Sequence, residues 1–426
     1  MTNKFFSLVF FSTLIACSDS DRPESKTLVA TETVPEKISA LPFDYQYPFR
    51  LEEVAGSLSA VGLTDLDISD DGRWVLYSGF GGKACIAEFI DDNRIEERGC
   101  IVTREIHPEG ENGLNSIALD KNFSQSGIIY VALQTAPHHR VIRRYKMSYS
   151  ESAQTWIEIE SQDLVWSETV ASSATHMIGK LLLTEDGSLI ASIGDGQEMQ
   201  SVQSNDSYFG KIIKINFSGS RTEIPKSGWQ VGELVKSVQI LAKGLRMPWR
   251  MSITNSQSLW VGDVGSSRYE ELNCLLLDTP KAQVYNFGWP INEGPSGSIQ
   301  SEFTAPVFSW SRLDFGDLRT SDPQCPSGPR SAIWLGPTYP SISRDADPYG
   351  DRLDGRILLS DFENGWVRSF PIATSSPCSI DSENAELILG SPFLTAAKLN
   401  PKNGLIYFSD LRAGALSVLR LSNASK

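Results

Sequence analysis

The sequence predicts an all-β fold: a six-bladed β-propeller with a long loop insertion, preceded by a lipoprotein signal peptide and a tether. Three observations carry this prediction. Apolar runs rich in Val, Ile, Leu, Tyr and Trp are too short for helices. Asp-Gly and Asn-Gly turns, which join antiparallel strands, separate these runs. The paired runs recur along the chain at the spacing of propeller blades.

The N-terminus predicts export and a lipid anchor. It has Lys4, an apolar run over Phe5–Ala16, and then Cys17. The run is too short to span a bilayer and has the length of a signal-peptide hydrophobic region. Its end, LIAC, resembles a bacterial lipobox, which implies a signal peptide over 1–16 and lipidation of Cys17. An ordinary signal peptide is the alternative. The lipobox places the protein on the periplasmic side of a bacterial membrane, and Ser18, where no aspartate stands, favours the outer membrane.

Residues 17–47 are expected to be the lipidated cysteine and a disordered tether. Ser, Thr, Pro and charged residues dominate residues 18–42, so this segment buries too little apolar surface to fold alone. The composition becomes that of a globular protein near Pro48. We therefore expect one propeller domain over 48–422, attached to the membrane only through the lipid.

Six copies of a strand–turn–strand pattern are recognisable in this domain. One copy, GKLLLTEDGSLIASIGDG, begins just after His176 and contains Asp195. The others are LTDLDISDDGRWVLYSGFGG, LNSIALDKNFSQSGIIYVALQ, MSITNSQSLWVGDVG, GRILLSDFENGWVRSF and AAKLNPKNGLIYFSDLRAGALSVLRL. Residues 277–355, rich in Pro, Gly and Ser, hold no clear copy and predict a long insertion on one face.

The net charge and the positions of the cysteines give further predictions about partners and disulfides. A net charge of −14 without a basic stripe excludes a nucleic-acid partner. Cys85 and Cys100 flank a hairpin-like segment, so a disulfide between them is expected in an oxidising compartment. Cys325 and Cys378, both in loops, could form a second disulfide. Cys274 is predicted to be a buried thiol on a strand.

One long run resembles a known enzyme family. GLRMPWRMSITNSQSLWVGDVGSSRYEELN, followed by NFGWPINEG, is similar to the soluble quinoprotein glucose/sorbosone dehydrogenases. HMIGKLLLTEDGSLIASIGDG and ENGLNSIALDKNFSQSGIIYV resemble other segments of that family. The resemblance extends over about residues 105–421, and it is most specific from Arg246 to Trp289.

The resemblance implies an oxidoreductase that binds pyrroloquinoline quinone (PQQ) beside a calcium ion and oxidises the C1 hydroxyl of a small aldose sugar. His176 matches the catalytic base, Asp195 its carboxylate partner and Arg246 a group near the quinone oxygens. An imidazole base and a guanidinium beside a developing negative charge suit this chemistry. Calcium is expected at the backbone carbonyls of Gly265 and Ser266.

Several positions depart from the family pattern. Met247 replaces an asparagine, Glu111 an amide and Glu363 a lysine, while Phe393 and Thr395 align with arginines. PQQ carries three carboxylates, so neutral or acidic replacements should weaken its binding. The expected cofactor-binding set is Arg246, Gln200, Glu111 and Arg250.

Two alternatives stay open at this stage. The departures favour a cofactor-free propeller lipoprotein that binds carbohydrate or protein. Acidic residues at the channel, Glu111 and Glu363, are compatible with a metal-dependent sugar lactone hydrolase, which the run from Arg246 to Trp289 disfavours. The sugar and the final electron acceptor are not specified by any motif.

Overall fold

A computed structural model describes residues 46–106, 110–111, 113–135, 139–168, 174–222, 226–254, 258–278, 283–295, 302–312, 331–340, 347–373, 376–391 and 393–422. The strands form six sheets, each of four or five strands, which confirms the predicted propeller. The six innermost strands contact one another in a closed ring around a central axis. The predicted signal peptide and tether lie outside the described residues.

The first three blades follow the chain from Leu63. Blade 1 contains β2 (Leu63–Ile68), β3 (Trp74–Gly79), β4 (Lys83–Asp91) and β5 (Arg94–Val102). Blade 2 contains β6 (Leu114–Leu119), β7 (Ile128–Thr135), β8 (His139–Ser150), β9 (Thr155–Ser167) and β13 (Trp229–Val231). Blade 3 contains β10 (Ile178–Leu183), β11 (Leu189–Ile193), β12 (Lys211–Asn216), β14 (Ser237–Lys243) and β18 (Tyr285–Asn286).

The last three blades complete the ring. Blade 4 contains β15 (Pro248–Thr254), β16 (Ser258–Asp263), β17 (Tyr269–Leu276) and β19 (Phe308–Ser311). Blade 5 contains β20 (Ile333–Thr338), β21 (Arg356–Asp361), β22 (Trp366–Pro371) and β23 (Glu386–Gly390). Blade 6 contains β24 (Leu394–Leu399), β25 (Ile406–Asp410), β26 (Ala415–Leu421) and, from the other end of the domain, β1 (Phe49–Glu53).

In the described part of the chain, two short helices accompany these strands: α1 (Phe123–Ser126) and α2 (Met199–Val202). Among the described residues, no helix has the length and apolar character needed to cross a membrane.

The expected insertion over 277–355 is wrong as stated. This segment supplies β18, β19 and β20, including the innermost strand of blade 5. The copy GRILLSDFENGWVRSF therefore forms the second and third strands of its blade, whereas the copies in blades 1 to 4 form the first and second. Short strands between Pro- and Gly-rich turns carry too little pattern to be found by alternation alone.

The described residues contain two disulfides, one within a blade and one between blades. Cys85 and Cys100 are bonded across β4 and β5, as predicted. The second bond joins Cys274 to Cys378, which corrects the expected Cys325–Cys378 pair and the free thiol at Cys274. Cys274 lies on the penultimate strand of blade 4 and Cys378 follows the third strand of blade 5, so this bridge links neighbouring blades. Cys325 lies outside the described residues.

Apolar side chains fill the spaces between blades. Trp74 of blade 1, for example, meets Phe123 and Trp156 of blade 2 at ring-centroid distances of 6.5 and 5.4 Å. Each blade thereby buries its faces against its two neighbours. The innermost strands are held in one orientation, so the residues that precede them meet at one end of the axis. We call this end the upper face; it also carries the loops between the second and third strands of each blade.

Candidate active site

A histidine and a carboxylate meet on the upper face of blade 3. His176 lies just before β10, and Asp195 lies just after β11. These strands are antiparallel, with Ile178 opposite Ile193, so the residues that flank this pair are neighbours. His176 Nδ1 lies 2.5 Å from Asp195 Oδ1. The structure thus brings together the two residues that the sequence placed in one hydrogen-bonded pair.

Asp195 is built as a buried acceptor. It has no exposed surface, and it accepts hydrogen bonds from the Gln197 backbone N–H at 2.9 Å and from Trp289 Nε1 at 2.8 Å. Burial by itself would raise the pKa of Asp195, but the hydrogen bond from His176 and the charges of His176 and Arg246 outweigh burial and lower the pKa. An ionised carboxylate can only accept, so His176 Nδ1 donates in this hydrogen bond, and in the neutral imidazole the lone pair lies on Nε2.

The backbone around His176 is held in an uncommon conformation. The φ angle of His176 is +55°, in the left-handed region that non-glycine residues seldom occupy. The Glu111 carboxylate accepts the His176 backbone N–H at 2.7 Å, and the Glu111 N–H binds the Ala174 carbonyl at 2.8 Å. A Cβ at Gly194 would lie 2.3 Å from the His176 carbonyl oxygen, so only glycine allows this approach. The Glu111 carboxylate therefore restrains His176 by binding the His176 backbone N–H.

Arg246 joins blade 4 to the same site. Its carbonyl accepts the Asp195 backbone N–H at 2.7 Å, and its guanidinium donates to the Val264 carbonyl at 3.0 Å. The guanidinium carbon lies 5.9 Å from the centre of the Trp289 ring. The buried Asp263 carboxylate accepts the N–H groups of Arg246 and Met247, at 3.0 and 2.7 Å. This loop fixes the half-buried Arg246 next to the His176–Asp195 pair.

The other two residues of the expected cofactor-binding set differ in exposure. Gln200 is exposed on α2, and its amide donates to Glu198 at 2.7 Å. Arg250 is 2% exposed in the central axis, where its guanidinium binds the carbonyls of Thr64, Gly179 and Thr395 from three other blades. This guanidinium is committed to joining the innermost strands and is shielded from a ligand on the upper face.

The carbonyl groups expected to hold calcium lie in the loop after β16. The Gly265 carbonyl accepts from the Arg312 guanidinium at 3.3 Å. The backbone N–H of Ser266 donates to the Glu293 carboxylate at 2.8 Å, and the next three N–H groups bind the same oxygen. The loop is thus organised by a guanidinium on one side and a carboxylate on the other.

The positions that depart from the family pattern take different roles. Met247 packs into the apolar cluster of blades 4 and 5, and Thr395 is buried with its hydroxyl on the Leu63 carbonyl. The Glu363 backbone N–H donates to the Asp361 carboxylate. The Arg412 guanidinium lies over the Phe393 ring, 3.7 Å from the ring centre. Arg412 thus supplies a cation on the blade 6 side, where Phe393 itself supplies none.

Trp289 is a site residue that sequence reasoning did not identify. Its indole N–H holds the second oxygen of Asp195, although the two residues are 94 positions apart in the chain. The only signal was its place in NFGWPINEG, one of the runs that carry the family resemblance.

Comparison with known proteins agrees with this fold. A sequence model of the family described as Glucose / Sorbosone dehydrogenase matches residues 66–313, more than half of the chain. HIPL1 protein of Arabidopsis thaliana is 31% identical over 140 residues, which cover 28% of this chain and 19% of that protein. Aldose sugar dehydrogenase YliI of Escherichia coli K12 is 22% identical over 219 residues, which cover 48% of this chain and 56% of YliI.

The matched part of the chain thus spans about a fifth of one curated relative and just over half of the other. The PQQ-bound aldose sugar dehydrogenase structure from Streptomyces coelicolor aligns with a TM-score of 0.62 at 16% identity, covering 88% of this chain and 99% of that one. At that identity the alignment establishes the shared propeller fold.

Proposed function

Because the chain belongs to the glucose/sorbosone dehydrogenase family, we propose that it oxidises the C1 hydroxyl of an aldose sugar to the lactone with PQQ as its cofactor. The observation that carries this proposal is the His176–Asp195 pair, with 2.5 Å between Nδ1 and the carboxylate. Support also comes from the sugar dehydrogenases among the similar proteins.

His176 is the proposed base. With its Nδ1 proton held by the buried Asp195, the Nε2 lone pair takes the proton of the C1 hydroxyl as C1 gives up a hydride. A positioned base of this kind contributes about 10²–10⁴ in rate. Asp195 keeps the productive tautomer and stabilises the imidazolium that forms, while Trp289 and Gln197 keep Asp195 in place.

The cationic groups on the upper face fit an anionic quinone. Bound PQQ supplies the acceptor for the hydride. Arg246, in blade 4 beside the histidine pair, would hold the quinone oxygens, and Arg412, in blade 6, would meet a carboxylate of the cofactor. The Arg412 guanidinium would offset part of the loss of cations at Glu363 and Phe393.

Calcium at the expected carbonyls fits less well. The Gly265 carbonyl already accepts a hydrogen bond from Arg312, whose guanidinium is paired with the buried Glu270 carboxylate, so this oxygen is occupied in the described structure. We therefore derive no step of the reaction from calcium.

The proposed site of action is the periplasmic side of a bacterial membrane. The apolar run over Phe5–Ala16 and the following Cys17 support a lipid anchor.

The test is spectroscopic. Purified protein is mixed with excess PQQ and titrated with a panel of aldoses while the quinone absorbance is followed; the matching 1-deoxy sugars, which lack the reacting hydroxyl, are the control. Absorbance should fall with at least one aldose and stay constant with its 1-deoxy analogue. No change with any aldose would contradict the proposal and favour a propeller that binds carbohydrate or protein without a cofactor.

A further inference from the structure

A buried arginine lies directly beneath the histidine pair. Arg140, the second residue of β8, has no exposed surface. Its Nη2 donates to the carbonyls of Thr175 and His176, each at 3.3 Å. Its guanidinium carbon lies 4.9 Å from the centre of the Phe209 ring. Blade 2 thereby reaches into blade 3 at the base of the proposed active site.

The other two nitrogens of the Arg140 guanidinium, Nε and Nη1, are buried without hydrogen-bond partners among the described residues. Burial lowers the pKa of Arg140 to about 10, against the opposing charges of Asp195, Glu111 and Glu198. A buried cation with incomplete hydrogen bonding destabilises a fold, so its position is better explained by the carbonyls and the carboxylate around it than by packing.

The neighbouring backbone needs such a restraint. His176 has a φ of +55°, and a strained residue stays in that conformation only when its surroundings hold it. Arg140 binds the carbonyl groups on both sides of the His176 Cα, those of Thr175 and His176. A Cβ at Gly196 would lie 2.4 Å from Arg140 Nη2, so the glycine after Asp195 provides the space for the guanidinium.

We infer that Arg140 is a positioning residue for the His176–Asp195 pair, acting through the carbonyls of Thr175 and His176. This inference rests on the proposed function for its kinetic consequence. Its structural consequence, the orientation of the His176 ring, stands independently of any substrate. Arg140 itself is fully buried, so it would be out of reach of a sugar or quinone on the upper face.

The test compares Arg140→Met with Arg143→Met. Arg143 lies on the same strand, and its guanidinium binds Asp163 instead of the site. In protein without sugar or quinone, the Nδ1 proton of His176 is followed by NMR after selective ¹⁵N-histidine labelling, which is practical with four histidines. We expect Arg140→Met to broaden or abolish this resonance and Arg143→Met to preserve it.

Kinetics provide the second readout. Because a displacement of about 1 Å can cost about 10²-fold in rate, Arg140→Met should lower kcat by up to about 10²-fold with KM nearly unchanged. Arg140→Lys keeps a donor for the carbonyls and should restore the resonance and part of kcat. Arg143→Met should have the wild-type kcat.

The outcomes separate this inference from the proposed function. A wild-type resonance and wild-type kcat in Arg140→Met would overturn the positioning role. Failure of both Arg140 variants to fold would also overturn it, because Arg140 would then serve the fold as a whole. If the resonance depends on Arg140 while the wild type oxidises no sugar, the proposed function fails and the positioning role stands.

Discussion

Replacing Asp195 by Asn exchanges one buried acceptor for a donor and leaves the size of the side chain unchanged. In the native protein, Oδ1 accepts from His176 and Oδ2 accepts from the Trp289 indole at 2.8 Å. If the new amide oxygen faces His176, the new NH₂ group meets the indole N–H, and a buried donor is left unpaired. Such a group costs about 1–3 kcal/mol, so Asp195→Asn should lower the free energy of unfolding by about that amount.

Trp289→Phe provides the matched test of this reasoning, because it removes the indole N–H and keeps an aromatic ring. In that background, the new NH₂ group no longer faces a donor. The double variant should therefore be more stable than the sum of the single variants implies, by about 1–2 kcal/mol. Loss of the charge near Arg140 occurs with and without Trp289 and cancels in the cycle.

The assay is equilibrium urea unfolding followed by far-UV circular dichroism, which does not depend on the deleted tryptophan. Additivity within about 0.5 kcal/mol would refute the proposed contact between Trp289 and Asp195. For the reaction, Asp195→Asn should lower turnover by no more than the loss of His176, about 10²–10⁴-fold, because it disturbs the tautomer of the base without removing it.

Three further predictions concern stability and location. Cys378→Ser opens a loop of 104 residues and should lower the free energy of unfolding by about 4.7 kcal/mol. Cys100→Ser opens a loop of only 15 residues and should lower it by about 3 kcal/mol. Equal losses in urea titrations would contradict the chain-entropy argument. Burial, with the charge of Asp263, raises the pKa of Glu271 to about 8, so the folded state keeps a proton that the unfolded chain releases. The stabilisation from Glu271 is complete below about pH 4 and is lost as the pH rises to 8, by up to about 1.4 kcal/mol per pH unit. Glu271→Gln should therefore flatten the pH dependence of the free energy of unfolding. An unchanged slope would argue against a protonated Glu271 in the folded state. Cys17→Ala should move the exported protein from the membrane fraction to the soluble fraction, and continued sedimentation with membranes would rule out the lipid anchor.

Local pattern was sufficient for most of the fold. Asp-Gly and Asn-Gly turns between apolar runs identify strand pairs because each pair is contiguous in the chain. The strand β1, which completes blade 6, and the strand β20, which begins blade 5, were missed for the opposite reason. β1 pairs with β26 from the far end of the domain, and β20 lies among Pro- and Gly-rich turns, so neither has a nearby partner that reveals it.

The residues of the candidate site likewise differ in whether their contacts are local or distant in the sequence. His176 and Asp195 flank one strand pair, and their meeting follows from that pairing. Trp289 lies 94 positions from Asp195 and Arg140 lies 36 positions from His176, so nothing local in the sequence indicates where their side chains end. Arg250 illustrates the converse: its charge suggested a cofactor contact, but it lies within the innermost strand and its guanidinium binds backbone carbonyls in the axis.

The central claim is that His176 removes the proton from the sugar C1 hydroxyl. Its most direct test is the rate of quinone reduction by an aldose at saturating PQQ, measured for the wild type and for His176→Ala. His139→Ala is the control, a second histidine whose Nδ1 binds the Ser167 carbonyl away from Asp195. We predict a loss of about 10²–10⁴-fold in His176→Ala, measured on protein that circular dichroism shows to be folded, and no loss in His139→Ala. A His176→Ala variant that reduces PQQ at the wild-type rate would contradict the account.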